Sequence, residues 1–163
     1  MRAALALLLF CVAGSAQAGV AAYAQCTGPD YEARLAAKFA ERFPTTTCDG
    51  ACDPWLMKSV EGLVQAQCRS EALADCQSRK CAMGLTEAWT AEADALTAAN
   101  RAGVAALDLS TLPPLKRARL SNEDAWRTAR TRCVGEEAFC DAAGTAHRLG
   151  DMQRIAAQLE GLR

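Results

Sequence analysis

The chain has 163 residues, and its 18 Lys and Arg nearly balance 19 Asp and Glu, for a net charge of −1. That balance argues against general nucleic-acid binding, which needs a strongly basic protein. Nine cysteines and only 6% aromatic residues point to a small core that leans on covalent cross-links.

The N-terminal residues read as a leader. Arg2 precedes an apolar run from Ala3 to Val12, and small residues follow, ending in Ala16-Gln17-Ala18. This is the layout of a secretory signal peptide over 1–18, with Ala22-Tyr23-Ala24 a second site of the same kind that would put the cut as late as 24. The run is about half of the roughly 20 residues that a spanning helix needs, so no stable membrane insertion is expected. Cys11 would leave with the leader. Leu9-Phe10 precede Cys11 and Gln25 precedes Cys26, not the small residues that lipid attachment calls for. About 145 residues remain, enough for a single helical, disulfide-rich domain over 26–163. They carry eight cysteines: Cys26, Cys48, Cys52, Cys68, Cys76, Cys81, Cys133 and Cys140. An even number in a short exported chain predicts disulfides and a periplasmic or secreted location.

The pattern is helical throughout, and the expected fold is all-α, a small disulfide-stapled bundle of about four to five helices. A first helix opens at Pro29-Asp30, where Tyr31, Leu35, Phe39 and Phe43 recur every four residues as one apolar stripe; Pro44 ends it. Cys48-Asp49-Gly50-Ala51-Cys52 is a turn. Asp53 then caps a second helix with Pro54 in its first position. Met57, Val60, Val64 and Cys68 share one face of it, widened by Leu56 and Leu63. A third helical stretch runs from about Ser70 to Asn100, burying Cys81, Leu85, Trp89 and Leu96. Gly103 and Pro113-Pro114 bracket a linker whose Leu107, Leu109 and Leu112 should pack on the core. A fourth helix places Leu115, Ala118, Ala125, Trp126, Ala129 and Cys133 on one face. A loop over Cys133–Cys140 leads to a last helix, capped by Thr145, that buries Leu149, Met152, Ile155, Ala156, Leu159 and Leu162.

Spacing constrains the cysteines. Cys76 and Cys81 are five apart, about 140° around a helix. On a continuous helix they cannot bridge each other, so each should staple its helix to another element. Cys48 and Cys52 flank a turn from which they can reach a neighbouring helix, and Cys133 and Cys140 can close their short loop directly. Eight cysteines allow 105 connectivities, and spacing alone selects none. A Cys-x-x-Cys redox motif is missing. The Cys-x3-Cys and Cys-x4-Cys spacings resemble those of zinc sites, but export favours disulfides, so neither metal nor cofactor is expected. His147, the one histidine, should lie on the surface, and no nucleophile with an ordered base is evident. Asp49 and Asp53 flank a turn without EF-hand spacing. No catalytic residue is assigned. The segment from Lys116 to Arg132 holds six basic residues against Glu123 and Asp124, and reads first as a solvated helix face.

The segment Trp126-Arg127-Thr128-Ala129-Arg130-Thr131-Arg132-Cys133, followed by Cys140 and then by Arg154-Ile155-Ala156-Ala157-Gln158-Leu159, resembles the C-terminal helices of the lysozyme-inhibitor LprI-like family. The resemblance covers roughly 112–163. Two residues separate Arg130 from Cys133 where the family more often has three. Members are small, helical, disulfide-bonded exported proteins, and a few are linked to lysozyme inhibition. The resemblance implies structural roles here: Trp126 packed between the last two helices, Arg130 half-buried on carbonyls or an acid, Cys133 bridged to Cys140, and Arg154 and Leu159 in the final signature. It also implies a non-enzymatic envelope protein whose partner is a lysozyme or another envelope protein. Twelve acids against eight bases between Asp30 and Asp108 would steer that half toward a cationic partner. The alternatives are a structural or stress-related secreted protein without inhibitory activity and a small metal-binding hydrolase.

Overall fold

The computed structural model describes residues 18–46, 54–121 and 135–162. The protein is all-α, and among the described residues there is no strand. Helix α1 spans Ala18–Thr27, α2 Tyr31–Arg42, α3 Pro54–Ala74, α4 Arg79–Ala105, α5 Pro114–Ser121 and α6 Glu137–Glu160, with a single 3-10 turn at Leu109–Thr111.

Where the apolar stripe was strong, the helix stands where the stripe put it. Leu35 and Phe39 are the buried face of α2, and the Phe43 ring closes on Phe39 at 5.2 Å. On α3, Val60, Val64 and Cys68 are buried. Leu63, expected to widen that stripe, is 47% exposed, because it sits 100° around the helix from Val64. Cys81, Leu85 and Trp89 are fully buried on α4, and Leu96 is partly buried. Leu107, Leu109 and Leu112 pack partly buried against Leu120, Met152, Ile155 and Leu159.

Several boundaries differ from the sequence reading. α3 continues through Arg69 and Ser70, and the break falls at residues 75–78. There the Cys76 N–H turns to Leu73 O, and the Ser78 hydroxyl caps α4 by accepting from the Cys81 N–H at 3.2 Å. α4 runs through Gly103 to Ala105, where a linker was expected. On α5 Leu115 is 78% exposed and Leu120 is the buried residue; five positions apart, the two cannot share a face. α6 begins at Glu137, so Thr145 is no cap. Its hydroxyl donates to Asp141 O within the helix at 2.9 Å, the alternative use of a helical threonine. Cys140 lies in the first turn of α6 and is disulfide-bonded.

The largest departure is α1, which occupies residues read as the end of a leader and a short lead-in to the domain. Residues ahead of Cys26 are thus helical and packed on the bundle. α1 packs on α3 and α4, and the most extensive pairing in the bundle is α4 against α6. Among the described residues the core forms three linked clusters. Cys76, Cys81, Leu85, Trp89 and Leu149 belong to the first, Leu35, Phe39, Val60 and Val64 to the second, and Leu120, Met152, Ile155 and Leu159 to the third. Tyr23 touches the first two, and Leu96 joins the first to the third. Ala72, Ala82, Ala93 and Ala142 line the helix interfaces at 0% exposure, and their small side chains let the backbones approach around Trp89.

Two disulfides lie wholly among the described residues and tie helices together. Cys26–Cys68 ties α1 to α3 with Cα atoms 5.6 Å apart, and Cys76–Cys81 spans the α3–α4 break at the same separation. The second corrects the expectation that each of these cysteines staples to another element. A spacing of five is prohibitive only on an unbroken helix, and the break at 75–78 removes that constraint.

Candidate functional site

Four helices meet at a partly buried polar cluster. Tyr23 of α1 donates its hydroxyl to Glu92 Oε2 of α4 at 2.9 Å. Gln153 of α6 donates to Glu92 Oε1 at 3.3 Å, and Arg69 Nη1 of α3 donates to Gln153 Oε1 at 2.5 Å. Arg69 is 8% exposed, a depth at which an arginine needs partners for its charge. Gly150 makes room for it: a Cβ there would stand 3.0 Å from Arg69 Nη2.

Burial pulls the Arg69 guanidinium below its ordinary range, and the nearby Tyr23 and Glu92 oppose that pull. Burial, then the Glu92 carboxylate, push the Tyr23 hydroxyl far above its ordinary 10.0, so Tyr23 stays a neutral donor at physiological pH. Its ring meets Trp89 edge to face, centroids 5.5 Å apart at 82°, a geometry the ring quadrupoles favour. One tyrosine therefore couples an aromatic contact to an ionic one. The cluster cross-links four helices. A second polar tie lies further along the same interface, where Asn100 Nδ2 donates to Met152 O at 2.8 Å.

Among the described residues, the surface carries an open groove of ligand size. The groove, of about 390 Å³, runs along α2 to the start of α3, lined by Leu35, Ala36, Phe39, Ala40, Phe43, Pro44 and Met57, with Glu32 and Thr46 as its polar members. Its volume lies at the lower end of the range of about 300–1,000 Å³ for binding pockets. Glu32 is exposed and gives the apolar trough an acidic edge.

Of the residues singled out in the sequence, Cys26, Cys68, Cys76, Cys81 and Cys140 are disulfide-bonded. Cys48, Cys52, Trp126, Arg130 and Cys133, with the turn acids Asp49 and Asp53, lie outside the described residues. Arg154 is exposed and pairs with Asp151, whereas Leu159 is 6% exposed in the third cluster; the two ends of the final motif do different work. His147 is exposed. Among the described residues no group of three or more His, Cys, Asp or Glu could hold a metal ion, and no helix is long and apolar enough to cross a membrane. The Tyr23–Glu92–Gln153–Arg69 cluster escaped the sequence reading. Its signal was a charge in the wrong place: Arg69 directly follows the buried Cys68, and Glu92 stands three residues after Trp89 on the same helix. No protein-family model, curated protein or solved structure matches the chain.

Proposed function

We propose that this protein is exported to the periplasm or beyond and acts there as a non-catalytic binding protein of lysozyme-inhibitor type. The observation that carries the export reading is the pair of buried disulfides, Cys26–Cys68 and Cys76–Cys81, since such bonds persist in oxidising compartments. The leader-like run ahead of Ala18 supports it independently. The binding reading rests on the acidic excess between Asp30 and Asp108, on the Glu32-edged apolar groove, and on the resemblance of the C-terminal motif. An inhibitor of this kind occludes a cationic partner's cleft with a rigid surface and turns nothing over. Covalent cross-links lower the entropy lost when such a surface docks.

A lysozyme inhibition assay with the oxidised protein, beside a reduced sample, tests the proposal. Dose-dependent inhibition that is lost on reduction is the expected result. Absence of inhibition across several lysozyme types would overturn the inhibitor reading and leave a structural role in the envelope. The double variant Glu32→Lys with Glu87→Lys, both exposed acids, should weaken binding and flatten its salt dependence. Unchanged affinity and salt dependence would remove the electrostatic part.

A further inference from the structure

The sequence offers two cleavage sites, and the fold distinguishes them. We infer that processing occurs at the Ala18–Gly19 peptide bond, so that α1 belongs to the mature protein as a structural helix. The inference rests on the export reading above. In the cut, water adds across the peptide bond and the C–N bond breaks. The leader departs with the Ala18 carboxylate, and Gly19 gains an α-ammonium. The enzyme class is an endopeptidase that reads small residues one and three positions before the bond, here Ala18 and Ala16.

The argument is what each cut removes. A cut after Ala24 would delete Gly19, Val20 and Tyr23. Val20 and Tyr23 pack on the cluster around Trp89, and Tyr23 supplies both the ring edge at 5.5 Å and the 2.9 Å hydrogen bond to Glu92. Without them Trp89, which is 0% exposed, would lose its cover, and the half-buried Glu92 would lose one of its two donors, keeping only Gln153. The Cys26–Cys68 bridge would survive but would hold only the last turn of α1. A cut after Ala18 removes none of these contacts.

Gly19 itself is fitted to the interface. It is buried, and a Cβ there would stand 2.5 Å from Ala72 O and 2.9 Å from Cys81 Sγ. Ala72 lies in the last turn of α3, the negative end of that helix's dipole. The new ammonium would stand at the positive end of α1, where a cation is disfavoured, but also beside the C-terminal carbonyls of α3, which favour it.

The test is to express the full chain in a Gram-negative host, recover the exported protein, and determine its N-terminal sequence and intact mass. A product starting at Gly19 is expected. A product starting at Gln25 would overturn the inference and leave export standing; a chain retained in the cytoplasm and starting at Met1 would overturn both. Ala18→Arg should abolish the Gly19-start product, whereas Ala24→Arg, at an exposed position, should leave it unchanged. Loss of the Gly19 start in Ala24→Arg, or its persistence in Ala18→Arg, would also refute the assignment.

Discussion

Replacing Cys26–Cys68 or Cys76–Cys81 by a pair of alanines separates loop closure from packing. The Cys26–Cys68 bridge closes a separation of 42 residues and Cys76–Cys81 one of 5. In the chain-entropy account, removing them costs about 4 and about 2 kcal/mol respectively at 25 °C, because the longer loop regains more freedom on unfolding. All four cysteines are buried, between 0% and 4% exposed, so the void left by the missing sulfurs is similar in both variants and largely cancels in the comparison. Guanidinium unfolding of the oxidised protein, Cys26→Ala with Cys68→Ala against Cys76→Ala with Cys81→Ala, reads the difference from the midpoints and slopes together. The slope should rise in both variants as the unfolded chain expands, more so in the first. Equal losses, or a larger loss for the short bridge, would refute the loop-entropy reasoning and place the stabilisation in the α3–α4 turn itself.

Tyr23→Phe keeps the edge-to-face contact with Trp89 and loses only the donation to Glu92, so it should cost about 1.5–3 kcal/mol in thermal unfolding, whereas Tyr23→Ala should cost more through the added loss of the ring. The fold favours the neutral hydroxyl, whose pKa is raised. Its contribution is therefore present below about pH 10 and is lost as pH rises beyond that, and Tyr23→Phe should flatten the alkaline limb of stability against pH. Arg69→Met, which removes the donor to Gln153 and the positive charge near Glu92, should cost about 1.5–3 kcal/mol, and Arg69→Met combined with Glu92→Gln should cost less than the two single losses together; additive losses in that cycle would show that the two groups do not interact. Glu71 is held below the ordinary carboxylate range by Gln67, then by Arg34. Its contribution is present above about pH 4.5 and is lost as pH falls through the lowered value. Glu71→Gln should thus lower the melting temperature slightly at neutral pH, within about 1 kcal/mol for so exposed a pair, and the difference should vanish in acid.

The helices with a strong one-sided stripe were legible in the chain because burial of one face is a local, periodic requirement. Leu35 and Phe39 on α2, Val60 and Val64 on α3, and Leu149 to Leu159 on α6 follow it. So was the all-α class. What escaped depended on partners distant in sequence. α1 has no one-sided stripe; it is a helix because α3 and α4 receive it. The Arg69 cluster joins residues up to 84 apart in sequence that no periodicity links, and Gly150 is needed there only because a guanidinium on another helix points at it. The Cys76–Cys81 bridge depended on where one long helical pattern breaks. Apolar periodicity decides which face of a helix turns inward, but which faces meet, and which buried charge finds its counterpart, is decided by the packing of the whole bundle.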